Sequence, residues 1–169
     1  MAKVTTSILI ATALLATTAC NKKRPAVIPP APSNTAPVDP NAGGNGAIIP
    51  GSRADFERSV TSNTVNFALD SYDIDGSARA ILDSQAAWLA KYPNVTVSLE
   101  GHCDERGTRE YNLALGDRRA NSAKNYLAAR GVAAGRISTI SYGKERPIAL
   151  GSDEQSLAQN RRAVTIVLN

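Results

Sequence analysis

The sequence contains few aromatic residues, cysteines and histidines. Aromatic side chains make up only 5% of the 169 residues, and there are two cysteines and one histidine. A folded core therefore has to be built mainly from alanine, valine, leucine and isoleucine. A single histidine argues against a histidine-rich metal site, since bound zinc needs three or four protein ligands. The two cysteines, Cys20 and Cys103, allow either free thiols or one disulfide.

A strong charge imbalance is also missing from most of the chain. The formal net charge is +4, but four of the basic residues lie within the first 24 positions. From Arg53 onward, fifteen basic and fourteen acidic residues nearly cancel. Nucleic-acid-binding domains usually carry a basic patch on the domain itself. We therefore expect no nucleic-acid partner, while the content of 43% apolar and 20% charged residues is typical of a globular protein.

The first twenty residues have the pattern of a secretory signal peptide. Lys3 supplies a positive start, and residues 8–16 form an uncharged apolar run that ends shortly before Cys20. This run is too short to cross a bilayer, which takes about 20 apolar residues. Cysteine directly after the cleavage site resembles the lipobox of bacterial lipoproteins. That resemblance implies that residues 1–19 are removed and that Cys20 carries covalent lipid. Because Asn21 is not aspartate, it also implies anchoring in the outer membrane, with the domain in the periplasm.

Residues 20–52 are predicted to be the lipidated N-terminus and a disordered linker. Seven prolines in this segment alternate with alanine, asparagine and glycine. Such a composition buries too little apolar surface to offset the entropy of ordering. A linker of this length has an average end-to-end distance of ~30 Å as a coil and reaches ~90 Å when extended. That reach suits a domain that has to contact a structure near its own membrane.

Residues 53–169 are predicted to form one folded domain in which helices and strands alternate. Hydrophobic periodicity distinguishes the two kinds of element, and proline or glycine ends several of them. We predict an α/β (α+β) fold, a βαβαβαβ-type sandwich with one mixed sheet on which the helices pack. The predicted elements are a short helix or turn over 53–60, strands over 64–67, 95–100, 137–142 and 163–168, and helices over 77–92, 108–130 and 152–161.

A carboxylate and a guanidinium are placed where they can face one cleft. Asp104 lies in a glycine-flanked loop after a predicted strand, and Arg119 lies on the same face of the following helix as Asn112 and Leu115. A carboxylate binds an ammonium group, and a guanidinium binds a carboxylate through paired hydrogen bonds. The pair suits a ligand that carries an ammonium group beside a carboxylate, as a zwitterionic amino acid does. Spacing alone leaves two alternatives open, namely that Asp104 and Arg119 pair with each other or that they cap the loop.

Several motifs in this part of the chain resemble the OmpA-like peptidoglycan-binding family. They occur in the family's order and extend over most of the predicted domain, which makes the resemblance specific. The residues that carry it are 65–67 (VNF) with Asp70 and Tyr72, 101–108 (GHCDERGT), 111–112 (YN), 115–120 (LGDRRA), 141–147 (SYGKERP) and 160–164 (NRRAV).

The resemblance implies an OmpA-like fold and a domain that binds the cell wall and is not an enzyme. In the family, the aspartate of the Gly-His-x-Asp loop and the second arginine of the Arg-Arg pair hold diaminopimelate. Carried over to this sequence, these roles fall on Asp104 and Arg119. The other expected peptidoglycan-binding residues are Asn112, Leu115, Thr108, Leu69, Asp70 and Arg162.

The resemblance also implies partners and a cellular role. The expected partners are peptidoglycan, the outer membrane through the lipid, and periplasmic and inner-membrane Tol proteins. The implied role is to tether the outer membrane to the wall, which supports envelope integrity and constriction at cell division. No cofactor is expected apart from the covalent lipid on Cys20, and no metal.

His102 and Cys103 raise the question of nucleophilic catalysis. A cysteine–histidine pair has to meet in space, but neighbouring residues at a strand end point to opposite faces. We instead predict a buried thiol at Cys103 and a hydrogen-bonded loop histidine at His102.

Two other functions remain open from the sequence. One is an OmpA-like lipoprotein that serves as a scaffold in another envelope machine, such as a flagellar stator or a secretion assembly. The other is a wall hydrolase, which predicts lysis of purified sacculi rather than retention on them.

Overall fold

The computed structural model describes residues 48–168, which form four α-helices, one short 3-10 helix and four strands. Apart from the 3-10 helix, the order of elements matches the order predicted from the sequence. The predicted signal peptide, Cys20 and most of the predicted linker lie outside the described residues. The elements are α1 (Arg53–Ser59), β1 (Thr64–Asn66), α2 (Gly76–Lys91), β2 (Val97–His102), α3 (Arg109–Ala129), the 3-10 helix (Ala134–Arg136), β3 (Ile137–Gly143), α4 (Glu154–Asn160) and β4 (Arg162–Val167).

Side-chain caps determine where the four α-helices begin. Ser52, Asp75, Thr108 and Asp153 each accept a hydrogen bond from the backbone N–H three residues further on. Such a cap contributes about 1 kcal/mol, because it satisfies an N–H that has no partner inside the helix. Thr108, the first residue of the predicted helix 108–130, is the cap of α3. The chain leaves α3 through Gly131, whose positive φ of 94° suits glycine at this position.

The four strands form one mixed sheet in the order β1-β4-β2-β3. Strand β2 is parallel to β3, to which α3 connects it, while β4 runs antiparallel to both β1 and β2. The predicted α+β class with a single mixed sheet is therefore confirmed.

Strand β2 ends later than predicted. Gly101 and His102 were assigned to a loop, but they pair with Ser141 and Gly143 of β3 across a register irregularity. A glycine after an alternating run usually indicates the end of a strand. Here that signal is misleading, because the glycine is required where α3 packs against the sheet.

The core lies between the sheet and the helices α1, α2 and α3. It is largely aliphatic, as the composition predicts, and it includes the edge-on packing of Phe56 against Trp88, with ring centroids 4.9 Å apart. No helix among residues 48–168 has both the length and the apolar character needed to cross a membrane.

Candidate ligand-binding site

A cavity of about 230 Å³ opens beside the first half of α3. It is bounded by the segment after β1, by the loop after β2 and by the residue that precedes β4. Six of the eight residues predicted to bind peptidoglycan line it, whereas Thr108 and Arg162 do not. The lining residues are Leu69, Asp70, Cys103, Asp104, Arg106, Gly107, Tyr111, Asn112, Leu115, Arg119 and Arg161.

Arg119 is almost completely buried, with only 1% of its surface exposed. Its Nε donates to the carbonyl of Ser71 (2.8 Å), Nη1 to that of His102 (2.9 Å) and Nη2 to that of Ala68 (3.1 Å). Burial lowers the pKa of this guanidinium from its ordinary value, although an arginine remains charged at neutral pH. Each terminal nitrogen also carries a second N–H. The three backbone bonds hold the guanidinium plane rigidly in the cavity wall.

Asp104 is buried as well, with 5% of its surface exposed. Its Oδ1 accepts the backbone N–H of Arg106 at 3.2 Å, and its Oδ2 accepts from the Arg106 guanidinium at 2.5 Å and from Arg161 Nη1 at 3.3 Å. Burial alone would raise the pKa of this carboxyl, but the bonds from Arg106 and Arg161 outweigh that effect and lower it. Asp104 is therefore a carboxylate at neutral pH.

The ion pairs of Asp104 are with Arg106 and Arg161. Its bond to the Arg106 backbone does cap the loop, which was one of the two alternatives left open by the spacing. The other alternative, direct pairing with Arg119, is not found among the ion pairs of residues 48–168. The Asp104 carboxylate and the Arg119 guanidinium thus line one cavity without pairing with each other, and each is bonded to other groups of the protein.

Two of the predicted residues stabilise the 104–108 loop at the edge of the cavity. Asn112 is buried, and its Nδ2 donates to the carbonyls of Arg106 (2.6 Å) and Thr108 (3.1 Å). Thr108 lies outside the cavity lining and caps α3. These contacts tie the 104–108 loop to the helix and so keep Asp104 in place.

The mouth of the cavity is framed by exposed side chains. Leu69 and Tyr111 are both largely exposed, and the Tyr111 hydroxyl donates to the Asp70 carboxylate. Asp70 has a φ of 53°, in the left-handed region that few non-glycine residues adopt. The sequence contains no periodic signal for this rim, although Tyr111 belongs to one of the motifs.

The arginine that lines the cavity is Arg161, which precedes β4, and not Arg162, the first residue of that strand. Arg161 donates to Asp104 and, through Nε, to the Phe67 carbonyl at 3.1 Å. Arg162 is buried outside the cavity, where it donates to the carbonyls of Asn160 and Arg146. The two adjacent arginines therefore have different surroundings, and only Arg161 lines the cavity.

His102 and Cys103 contact different groups. Cys103 is buried, as predicted, and its thiol donates to the Asn112 carbonyl at 3.3 Å. The predicted loop position of His102 is wrong, because this residue ends β2. Its ring stacks on Tyr142, its Nδ1 has no hydrogen-bond partner, and its Nε2 lies 3.8 Å from the Glu100 carboxylate. Burial, with Arg162 and Arg146 nearby, lowers its pKa to about 4. Nowhere in residues 48–168 do three potential metal ligands come together.

Comparison with known proteins identifies the family. A sequence model of the OmpA family matches residues 66–161, which include the cavity and most of its supporting elements. The chain belongs to the OmpA family.

Several OmpA-family relatives share one name. The peptidoglycan-associated lipoprotein of Rhizobium meliloti (strain 1021) is 55% identical over 124 residues, which is 73% of this chain and 70% of that protein. The protein of the same name from Agrobacterium fabrum is 51% identical over 125 residues, 74% of this chain and 70% of that protein.

Among solved structures, the peptidoglycan-associated lipoprotein from Burkholderia pseudomallei is similar with a TM-score of 0.63 and 40% identity. The match covers 67% of this chain and 99% of that one. The cell wall anchor of the T6SS from Pseudomonas aeruginosa has a TM-score of 0.57 at 24% identity, with 70% of this chain and 99% of that one covered. This second likeness concerns the fold alone.

Proposed function

We propose that the protein is an outer-membrane lipoprotein that binds peptidoglycan non-covalently through diaminopimelate and performs no catalysis. One observation carries the proposal: a buried carboxylate, Asp104, and a buried guanidinium, Arg119, line the same cavity. The names of the relatives support both the wall ligand and the lipid.

In the proposed complex, the ligand ammonium binds Asp104 and the adjacent ligand carboxylate binds Arg119. The second N–H on each Arg119 terminal nitrogen supplies the donors for that carboxylate. Both receptor groups are already buried and oriented by other bonds, so the ligand does not have to order them. Charge-assisted hydrogen bonds of this kind are stronger than neutral ones.

The same geometry would discriminate between wall types. Lysine in the equivalent position of the stem peptide has an ammonium group but no carboxylate beside it. A ligand that covers Arg119 without accepting its hydrogen bonds loses about 1–3 kcal/mol of binding free energy. We therefore expect walls of the diaminopimelate type to be preferred by roughly five- to 150-fold.

The rest of the proposed function rests on the sequence pattern. Lipid on Cys20 anchors the N-terminal end in the membrane. The segment up to residue 52 spans the distance between the membrane and the cell wall, and the domain binds the wall. Several acyl chains on one residue give a stable anchor, whereas one chain binds membranes only reversibly. The proposal includes Tol proteins as partners and a contribution to envelope integrity and to constriction at division, both implied by the family motifs.

Retention of the purified protein on isolated sacculi tests the proposal. We expect it to sediment with diaminopimelate-type sacculi and much less with lysine-type sacculi. Asp104→Ala should abolish retention. Asp83→Ala is the matched control, because Asp83 is an exposed carboxylate that pairs with Arg130 away from the cavity.

Two outcomes would contradict the proposal. One is equal retention of the wild type and Asp104→Ala on both kinds of sacculi. The other is release of soluble wall fragments during the incubation, which would indicate a hydrolase.

A further inference from the structure

We infer that Arg106 is a built-in competitor of the ligand: its guanidinium occupies the Asp104 carboxylate, and the ligand ammonium has to displace it. This inference rests on the proposed function and extends it. Arg106 Nη2 lies 2.5 Å from Asp104 Oδ2, and its Nε lies 3.2 Å from the same oxygen. The side chain that lines the cavity at the proposed ammonium position is therefore itself a cation.

Two arginines bind Asp104, but only Arg106 is free to leave it. The Arg161 side chain is 8% exposed and is also tied to the Phe67 carbonyl and to Glu154. The Arg106 side chain is 41% exposed and extends from the loop after β2. Partly exposed ion pairs contribute little free energy, because water and salt screen them. Arg161 therefore remains as a fixed partner of Asp104, while Arg106 exchanges with the ligand.

Glu154 gives the displaced guanidinium a second carboxylate. Its Oε2 lies 3.5 Å from Arg106 Nη1, and its Oε1 lies 2.8 Å from Arg161 Nη2. When the ligand ammonium takes Asp104, Arg106 can stay paired with Glu154 through a small rotation. Every charge then keeps an opposite charge beside it, and no group is left buried and unpaired.

If Arg106 competes with the ligand, its removal changes the binding free energy differently from the removal of a residue that contacts the ligand. The free energy needed to break the Arg106–Asp104 pair is the same for every ligand that brings an ammonium group. Removing Arg106 should therefore strengthen binding of such ligands by one common factor, about 1.4- to fivefold for a partly exposed pair. Selectivity should not change, because the carboxylate-specific interaction belongs to Arg119.

Titration calorimetry on the purified full chain tests the inference. The probes are a stem tripeptide ending in meso-diaminopimelate and its lysine-containing counterpart. Arg106→Gln should bind both more tightly by the same factor. Arg109→Gln is the matched control, because it removes an equal charge from an exposed arginine that pairs with Glu145 outside the cavity.

The possible results separate the inference from the proposed function. If Arg106→Gln binds the diaminopimelate peptide no better than the wild type, or more weakly, Arg106 is not a competitor and the inference is overturned. The proposed function still stands in that case, provided that Asp104→Asn weakens binding. If the wild type does not bind this peptide, or if Asp104→Asn binds equally well, both fall.

Glu154→Gln tests the second carboxylate. This change should weaken binding in the wild type, because displaced Arg106 then has no new partner. It should have little effect when combined with Arg106→Gln. Equal weakening in both backgrounds would show that Glu154 acts through Arg161, which would overturn its role as the alternative partner.

Discussion

Gly101 in β2 and Gly116 in α3 lie backbone against backbone: a Cβ at Gly101 would be 1.8 Å from the Gly116 carbonyl oxygen. The approach is close on the other side as well, since a Cβ at Gly116 would be 2.3 Å from Ser141 Oγ. This contact determines how deeply α3 sits on the sheet. One turn beyond Gly116, Arg119 reaches the carbonyl of His102, the residue after Gly101.

Gly101→Ala should destabilise the domain. The added methyl group meets backbone atoms that cannot rotate away, so we expect a loss of about 3 kcal/mol, at the upper end for overpacking. Denaturant unfolding measures this loss. Gly76→Ala is the control, since a Cβ at Gly76 meets nothing within 4 Å. Equal stability of the two variants would contradict the packing described here.

Arg119→Lys should reduce both stability and binding. Lysine keeps the positive charge, but its single nitrogen cannot reach all three carbonyls that Arg119 satisfies. Each carbonyl left buried without a donor costs about 1–3 kcal/mol. Arg118→Lys, at an exposed neighbour, should change neither property. Normal stability with lost binding would show that Arg119 serves the ligand alone.

The stability of the domain should fall in mild acid because of His102. Its pKa is about 4 in the folded state against 6.5 for an ordinary histidine, because burial and nearby arginines disfavour the charged form. The unfolded state therefore binds the proton first, and the free energy of unfolding decreases as the pH falls from 6.5 towards 4. The decrease attributable to this residue is at most about 3 kcal/mol.

This pH dependence can be assigned to one residue, because the sequence has a single histidine. His102→Phe keeps a ring to stack on Tyr142 but cannot titrate. Its unfolding free energy should be nearly independent of pH between 6.5 and 5. An unchanged slope in this variant would show that other groups are responsible.

Cys20→Ala should release the protein from membranes. The proposed acyl chains are attached through the cysteine thiol, which alanine lacks, and these chains are the proposed membrane anchor. Fractionation of cells followed by detection of the protein measures the change. Continued association of the variant with the outer membrane would contradict the lipobox interpretation.

The sequence predicted the elements well where local physics determines them. The alternation in β2 and β3 and the helical spacing in α2 are local signals, and the corresponding elements are present. The three-residue 3-10 helix was not predicted, because it is too short to show a period. The close contact of Gly101 with Gly116 was also missed, since it joins residues of two elements.

The candidate site was predicted in part for a similar reason. Asp104 and Arg119 were placed on one cleft from loop position and helix spacing. The contribution of Arg161 depends on the direction in which the chain enters β4, and the Arg106–Asp104 pair depends on the fold of a loop. Neither of these two features produces a periodic pattern in the sequence.

A crystal structure with the diaminopimelate stem tripeptide bound is the most direct test of the proposed receptor. The ligand ammonium is predicted within hydrogen-bond distance of Asp104, and the adjacent carboxylate is predicted to accept hydrogen bonds from Arg119. A ligand that binds outside the cavity, or one that places neither group on these two side chains, would contradict the account.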